Sequence, residues 1–151
     1  ELSHRAVDSC PTRSTARIEL ISNNVFSDLN ASQDQIKSAL AGLNETVSNY
    51  NPKQCLNLLR IIANAVKAAV LRFDQILQWS QNLDLESLCI EGDVLKSSYI
   101  STLSSMLVSG KDFTIHHAAS DFSASISSFK SVNETFFNLT QRFENALQSD
   151  S

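Results

Sequence analysis

The sequence predicts an all-α protein, an antiparallel bundle of four to five helices, and three observations support this fold. Apolar residues recur in steps of three and four along two long segments, which places them on one face of a helix that turns every 3.6 residues. The first stripe contains Ile18, Ile21, Val25, Leu29, Ile36, Leu40, Leu43, Val47 and Tyr50. The second contains Phe122, Ile126, Phe129, Phe136, Phe143 and Leu147. Only 3 glycines and 2 prolines occur in 151 residues, so little interrupts helical structure.

The first predicted helix follows a short lead-in segment. Ser14 or Thr15 can serve as its N-cap, because a hydroxyl oxygen can accept a hydrogen bond from an unpaired N–H of the first turn. The helix then extends to about Asn49, and Gly42 is the position at which we expect a bend.

The second predicted helix begins at Asn51 and Pro52, an N-cap followed by a residue whose missing N–H costs nothing in the first turn. It extends to about Asn82 and is apolar on most sides, as expected of the central helix of a bundle. Its most apolar stretch, residues 56–77, is interrupted by six polar or charged residues. We therefore expect a buried helix there and no transmembrane segment.

Three further elements complete the predicted bundle. Residues 84–91 form a short helix that Gly92 ends. Asp93 then caps a long helix that stops at Gly110, and the phenylalanine stripe lies on a last helix over residues 120–147. Short connections between long helices favour antiparallel neighbours.

Length and charge indicate one acidic domain. Residues 1–13 form the lead-in and residues 14–148 a single helical-bundle domain, which is large enough to bury a core without a metal. The chain carries 12 Lys and Arg against 16 Asp and Glu, a net charge of −4 with an isoelectric point near 5.3. Because the basic residues are scattered, we expect no nucleic-acid partner.

The three cysteines predict one disulfide. Cys10 precedes the first helix and Cys89 follows the second, so antiparallel packing brings both to the same end of the bundle. Cys55 opens the second helix at the opposite end, on the order of 40 Å away. Since a disulfide requires Cα atoms within about 7 Å, we predict a Cys10–Cys89 bond and an inert core thiol at Cys55. A bridge between two chains through Cys55 is the alternative.

Four Asn-X-Ser/Thr sequons, together with the cysteine placement, favour secretion. On a helical wheel Asn30 and Asn44 flank the first stripe and Asn138 lies opposite the second, so these three are the predicted glycosylation sites. Asn133 lies on the apolar stripe and is not expected to carry a glycan. The absence of an initiator methionine and of an apolar leader at Glu1 suggests a processed product.

No group of residues in the sequence predicts catalysis. His116 and His117 are adjacent, so on one helix their side chains point about 100° apart and cannot share a metal ion. No C-x-x-C pair, phosphate-binding glycine loop or nucleophile elbow occurs. We therefore expect no enzyme activity, no cofactor and no metal site.

The composition of the core permits an apolar ligand. Small residues mixed with large apolar ones either pack without a void, which is the commoner outcome, or leave an elongated pocket between helices. The candidate ligand-binding residues are Ile62, Val66, Ala69, Phe73, Tyr99, Leu103, Phe122 and Phe129. The polar groups that could orient a carboxylate head are Tyr99, Ser101, Ser105 and Gln75.

One stretch of the chain resembles a known family. An alanine-rich helix and a short acidic link precede residues 99–113, YISTLSSMLVSGKDF, and a phenylalanine-rich helix follows. Over residues 15–147 this order is similar to the fungal cell-wall mannoprotein and hydrophobic-surface-binding protein family. The resemblance implies a secreted helical bundle, associated with a cell wall in some cases, and some members of that family enclose a fatty acid.

The leading hypothesis is therefore a secreted, non-enzymatic protein that holds a fatty acid or similar lipid between its helices. The alternative is a secreted recognition or effector protein, cytokine-like or immune-modulating, that binds a protein partner on a host or neighbouring cell through a helix face. That alternative requires exposed apolar residues, for which Leu20, Phe26 and Phe137 are the candidates. A third hypothesis is a surface-active protein whose bundle opens at Gly42 or Gly110.

Overall fold

The computed structural model describes residues 11–149, and these fold into five helices without a β-strand. The helices are α1 (Arg13–Ser22), α2 (Val25–Ser48), α3 (Pro52–Ser80), α4 (Glu86–His116) and α5 (Ala119–Gln148). Helix α2 packs against α3, α3 against α4, α4 against α5, and α5 returns to α2, while α1 lies across α2, α3 and α5. The predicted all-α bundle is confirmed.

The cap of α3 forms as predicted, whereas the cap of α1 lies earlier than expected. The Asn51 side chain accepts a hydrogen bond from the Gln54 backbone N–H, and Pro52 occupies the first turn. The N-cap of α1 is Thr12, whose hydroxyl accepts from the Thr15 N–H. The prediction of Ser14 or Thr15 as the cap was wrong by two to three residues, because Thr12 offers the same hydroxyl to the same first turn.

The first predicted helix is two helices, which is a correction to the sequence analysis. Asn24 adopts a left-handed backbone conformation with φ 57°, a geometry that asparagine tolerates better than most residues. The break rotates α1 relative to α2, so Leu20 faces the core with no exposed surface while Ile18 is 63% exposed. The stripe predicted through Ile18 and Ile21 crosses this break, and both side chains lie outside the core.

Helix α4 is one continuous helix, although a stop was predicted at Gly92 and at Gly110. Both glycines are buried inside it. A Cβ atom at Gly92 would lie 2.8 Å from the Phe73 ring, and one at Gly110 would lie 2.5 Å from Leu59 Cδ1. The missing side chains therefore let α4 approach α3 closely, and their role here is packing rather than helix termination.

The bundle interior is aromatic and lies largely along α5. All six residues predicted on its stripe are buried, and Asn133 and Thr140 are buried with them. Tyr99 of α4 stacks on Phe136 with a ring-centroid distance of 4.4 Å and on Phe129 at 5.6 Å. Phe73 of α3 contacts Phe136 at 4.9 Å, so three helices meet in this cluster.

Helix α3 occupies the central position that its composition predicts. Eleven of its residues are buried, among them Cys55, Ile62 and Phe73. By length and composition alone α3 could also cross a membrane, although 44% of the relevant window is buried in the bundle. The core helices of soluble proteins meet the same criterion.

Candidate functional site

The predicted ligand-binding residues lie in the core rather than around a pocket. Seven of the eight are buried, and Leu103 is half-buried. They are spread along the bundle axis: Phe122 stacks on Phe113, whereas Phe73 and Tyr99 meet at Phe136. None of the eight lines the surface depressions of the described chain that follow.

A depression of about 300 Å³ lies instead between α2 and α5. Its lining residues are Lys37, Leu40, Ala41 and Asn44 of α2 and Lys130, Asn133 and Glu134 of α5. Leu40 and Asn133 are buried, while the two lysines and Glu134 are exposed at its mouth. Its volume is at the lower end of the range for small-molecule pockets, about 300–1,000 Å³.

Asn133, which lines this depression, is one member of a buried polar pair. Tyr99 Oη donates a hydrogen bond of 2.6 Å to Asn133 Oδ1. Burial raises the pKa of the Tyr99 phenol above its usual value, so this group stays protonated as a donor. Asn133 is 1% exposed, and its amide nitrogen has no hydrogen-bond partner within residues 11–149. The amide nitrogen of Asn133, a residue that lines the depression, is therefore an available donor.

The mouth of the depression carries a net positive charge. Neither Lys37 nor Lys130 forms an ion pair with the part of the chain that the structure describes. Glu134 lies beside them and is likewise unpaired there. Two ammonium groups, one carboxylate and the Asn133 amide above an apolar floor could bind an anionic head group next to a hydrocarbon tail.

Two larger depressions lack this combination. One of about 620 Å³ lies on α3 alone and contains Lys53 and Arg60, whose guanidinium donates to Asn57. Another of about 540 Å³ follows the outer edge of α4 and α5, between serines, Val108 and two aspartates. Neither has a buried polar group with a free donor.

The α2–α5 depression escaped sequence analysis because its two halves are more than 80 residues apart. Asn133 was the available signal. It interrupts a stripe of phenylalanines, and a polar residue at a buried stripe position requires a partner. Its position on the apolar stripe predicted that Asn133 carries no glycan, and the side chain is buried.

The histidines lie at the end of α4 and do not form a metal site. His116 Nδ1 is 2.8 Å from an Asp112 carboxylate oxygen. His117 ends the helix in a left-handed conformation and stacks on Tyr50 with a centroid distance of 3.9 Å. Within residues 11–149 no three His, Cys, Asp or Glu side chains are grouped so that they could hold a metal ion.

The predicted disulfide between Cys10 and Cys89 stays a prediction. Cys10 lies outside the described residues, and neither Cys55 nor Cys89 forms a disulfide within them. Burial raises the pKa of Cys89, and the nearby Asp93 and Glu86 raise it further. An Arg13 guanidinium donates to the Leu83 carbonyl at 3.4 Å, which brings the start of α1 to the end of the bundle where Cys89 lies.

The three predicted glycosylation sites are all exposed. Asn30 and Asn44 lie on α2 and Asn138 on α5, and each has an accessible side chain. Asn44 lines the α2–α5 depression.

The apolar residues predicted to be exposed for partner binding are buried, which is a correction. Leu20 is 0%, Phe26 9% and Phe137 4% exposed. The break at Asn24 turns the first two inward, and Phe137 packs edge-on against Phe136. Four exposed apolar side chains lie instead along one side of α4, with exposed serines between them. We call this side the outer face of α4; its residues are Ile90, Val94, Ser97, Ser101, Ser104, Val108 and Ile115.

Comparison with protein-family models, curated proteins and solved structures gave no significant match to this chain. The resemblance to the fungal mannoprotein family therefore stays a prediction.

Proposed function

We propose that this protein is a secreted, non-enzymatic binding protein that holds a fatty acid or a similar anionic amphiphile between α2 and α5. The observation that carries the proposal is the depression in which unpaired Lys37 and Lys130 lie above buried Asn133. The exposed sequon asparagines that lie away from this depression, Asn30 and Asn138, support secretion.

The head group would bind at the mouth of the depression. A carboxylate can accept hydrogen bonds from both ammonium groups and from the Asn133 amide nitrogen. Hydrogen bonds to an ionised group contribute about 1.5–3 kcal/mol when partly shielded from water, and less at an exposed lysine. Asn133 is held in place by Tyr99, so its amide donor is already oriented before the ligand arrives.

The tail would lie on Leu40 and Ala41, along the line where α2 meets α5. Each buried methylene contributes about 0.8 kcal/mol. Tyr99 and Phe129, two of the residues predicted from sequence, lie directly behind Asn133. A long tail would reach them by parting α2 from α5, and a short tail would stay in the existing depression.

Titration of the delipidated protein with a dansyl-labelled C11 fatty acid tests this function. We expect the Lys37→Ala and Lys130→Ala variants each to bind about 3- to 10-fold more weakly, equivalent to about 0.7–1.4 kcal/mol. The matched control is Lys53→Ala, which removes an exposed lysine from the larger depression on α3. Unlabelled decanoate should displace the probe and decanol should do so poorly.

Two results would contradict the proposal. The first is an absence of saturable binding by the folded wild-type protein. The second is equal binding by the wild type, Lys37→Ala, Lys130→Ala and Lys53→Ala, which would place any apolar binding elsewhere.

The alternative hypothesis, recognition of a protein through a helix face, now depends on α4. Its originally predicted residues are buried, whereas Val94 and Val108 on the outer face of α4 are 69% and 71% exposed.

A further inference from the structure

The outer face of α4 carries large apolar side chains at both ends and small side chains in the middle. Ile90 and Val94 form one end, and Val108 and Ile115 form the other; these four side chains are 64–71% exposed. Exposed serines occupy the middle. At 1.5 Å per residue the face is about 37 Å long. Large apolar side chains at this exposure, repeated along one helix side, indicate a surface that contacts another molecule.

The opposite side of α4 already serves the core. Gly92, Tyr99, Met106 and Phe113 recur every seven residues and are buried against α3 and α5. Residues of the outer face lie roughly half a turn away from these positions. The outer face therefore does not take part in the packing of the bundle, and core formation does not explain its isoleucines and valines.

The order of residues along this face is nearly the same in both directions. Counting outward from Ser101, Val94 and Val108 lie seven residues away on either side, and Ile90 and Ile115 lie farther out. Two copies related by a twofold axis use the same surface, so that residue i meets residue j and j meets i. An antiparallel α4 pair centred near Ser101 would place Val94 of each copy against Val108 of the other.

Charge complementarity also favours a second copy. Asp93 and Lys111 are exposed, and neither forms an ion pair within the described chain. They are 18 residues apart, which is five helical turns, so both lie on the same flank of α4. Their midpoint is Thr102, one residue from the centre that the valines define. The antiparallel pair would thus bring Asp93 of each copy to Lys111 of the other, twice.

We propose that the outer face of α4 binds a second copy of this chain in an antiparallel, twofold-symmetric dimer. The serines near the centre let the two helices approach closely, and the apolar ends bury against one another. A single helix pair buries on the order of 1,000 Å², at the low end for specific interfaces, which favours a weak dimer that depends on protein concentration. The predicted glycosylation sites lie on α2 and α5 and leave α4 uncovered.

Sedimentation equilibrium of the full chain over about 1–300 μM tests this pairing. The wild type should shift from monomer to dimer with rising concentration. Asp93→Lys and Lys111→Asp should each weaken the dimer at least 5-fold, because each places like charges together at both contacts. The double variant Asp93→Lys/Lys111→Asp should restore it. No contact within one chain predicts that restoration, because the two residues are about 27 Å apart along the helix.

Two further variants separate the interface from general effects. Val108→Lys should abolish the dimer, while Ile18→Lys changes an equally exposed apolar residue on α1 and should leave it intact. Circular dichroism should show the same helical content in every variant. A wild type that remains monomeric at 300 μM, or a dimer that the charge exchange fails to restore, would overturn the proposal.

Discussion

The two seams that α5 forms with its neighbours differ in how closely the helices approach. At the α4 seam, a Cβ on Gly110 would lie 2.9 Å from the Phe122 ring, and the hydroxyls of Ser109 and Ser125 are 2.6 Å apart. At the α2 seam, a depression of about 300 Å³ lies between the helices, and Lys37 and Lys130 are among its lining residues. Small residues thus line the closed seam, and long charged ones line the open seam.

This difference distinguishes two kinds of surface on one helix. The closed seam buries aromatic rings and contributes to stability. The open seam is lined by the buried Asn133 and by the unpaired ammonium groups of Lys37 and Lys130, and these ammonium groups contribute little to packing. Residues whose chemistry the fold does not use are the better candidates for ligand contact.

Among the substitutions that test the difference between the two seams, Phe136→Ala should cause the largest loss of stability. Phe136 contacts Phe73, Tyr99 and Phe137, and it lies one helical turn from Asn133, so its removal opens the core behind the α2–α5 seam. We expect a loss of about 3–5 kcal/mol in the free energy of unfolding, as for other buried phenylalanines. Urea unfolding monitored by circular dichroism measures it.

The same variant tests the ligand site. If the new cavity joins the depression, decanoate should recover part of the lost stability, and more in this variant than in the wild type. The control is Ile18→Ala on α1, whose side chain is 63% exposed and should change stability by less than about 0.5 kcal/mol. Equal ligand stabilisation of Phe136→Ala and wild type would separate the depression from the core.

Gly110→Ala should overpack the closed seam and cause a smaller loss of stability. The added Cβ would lie 2.5 Å from Leu59 Cδ1 and 2.9 Å from the stiff Phe122 ring. The cost of overpacking, about 1–3 kcal/mol, should exceed the gain of about 1 kcal/mol in helix propensity. We therefore expect a net loss of up to about 2 kcal/mol in unfolding free energy.

Gly42→Ala is the matched control for that substitution. Its Cβ would meet the end of the flexible Leu58 side chain at 2.8 Å, and no ring. Leu58 is 9% exposed and can rotate away, so this variant should be as stable as the wild type or slightly more stable. If both glycine variants lose the same stability, close helix approach is not the role of Gly110.

The fold followed from residues whose effect is local and periodic. The stripe on α5 is buried as predicted, because uninterrupted steps of three and four keep one face toward the core. The prediction failed where one backbone conformation changed the helix phase, at Asn24, and where a glycine was assumed to end a helix. Gly92 and Gly110 lie within α4, because a glycine is needed there to leave room for side chains of α3 and α5.

The candidate site was less predictable than the fold, because it depends on contacts between distant segments. No local pattern pairs Lys37 with Lys130, and the Tyr99–Asn133 hydrogen bond joins two helices. Tyr99 was predicted as a ligand-binding residue, yet the structure places it one layer deeper, where it orients the asparagine. A sequence predicts burial well, because burial follows local periodicity. It predicts contacts between buried polar groups poorly, because those groups come from distant segments.

The smallest expected effect on stability concerns the Tyr99 hydroxyl, which donates to Asn133 beneath the open seam. Burial raises the pKa of Tyr99 above its ordinary value of 10.0, so the unfolded chain releases this proton at a lower pH than the folded one. The wild type should therefore keep its full stability below pH 10 and lose up to about 1.4 kcal/mol per pH unit above it. Tyr99→Phe should lose about 1 kcal/mol at pH 8, because the substitution removes the hydrogen bond to Asn133. Because phenylalanine does not ionise, the two stability curves should converge between pH 10 and 11, and urea unfolding across pH 8–11 measures this. Curves that remain parallel would show that the Tyr99 proton is not held by the fold, and the oriented Asn133 donor would lose its support.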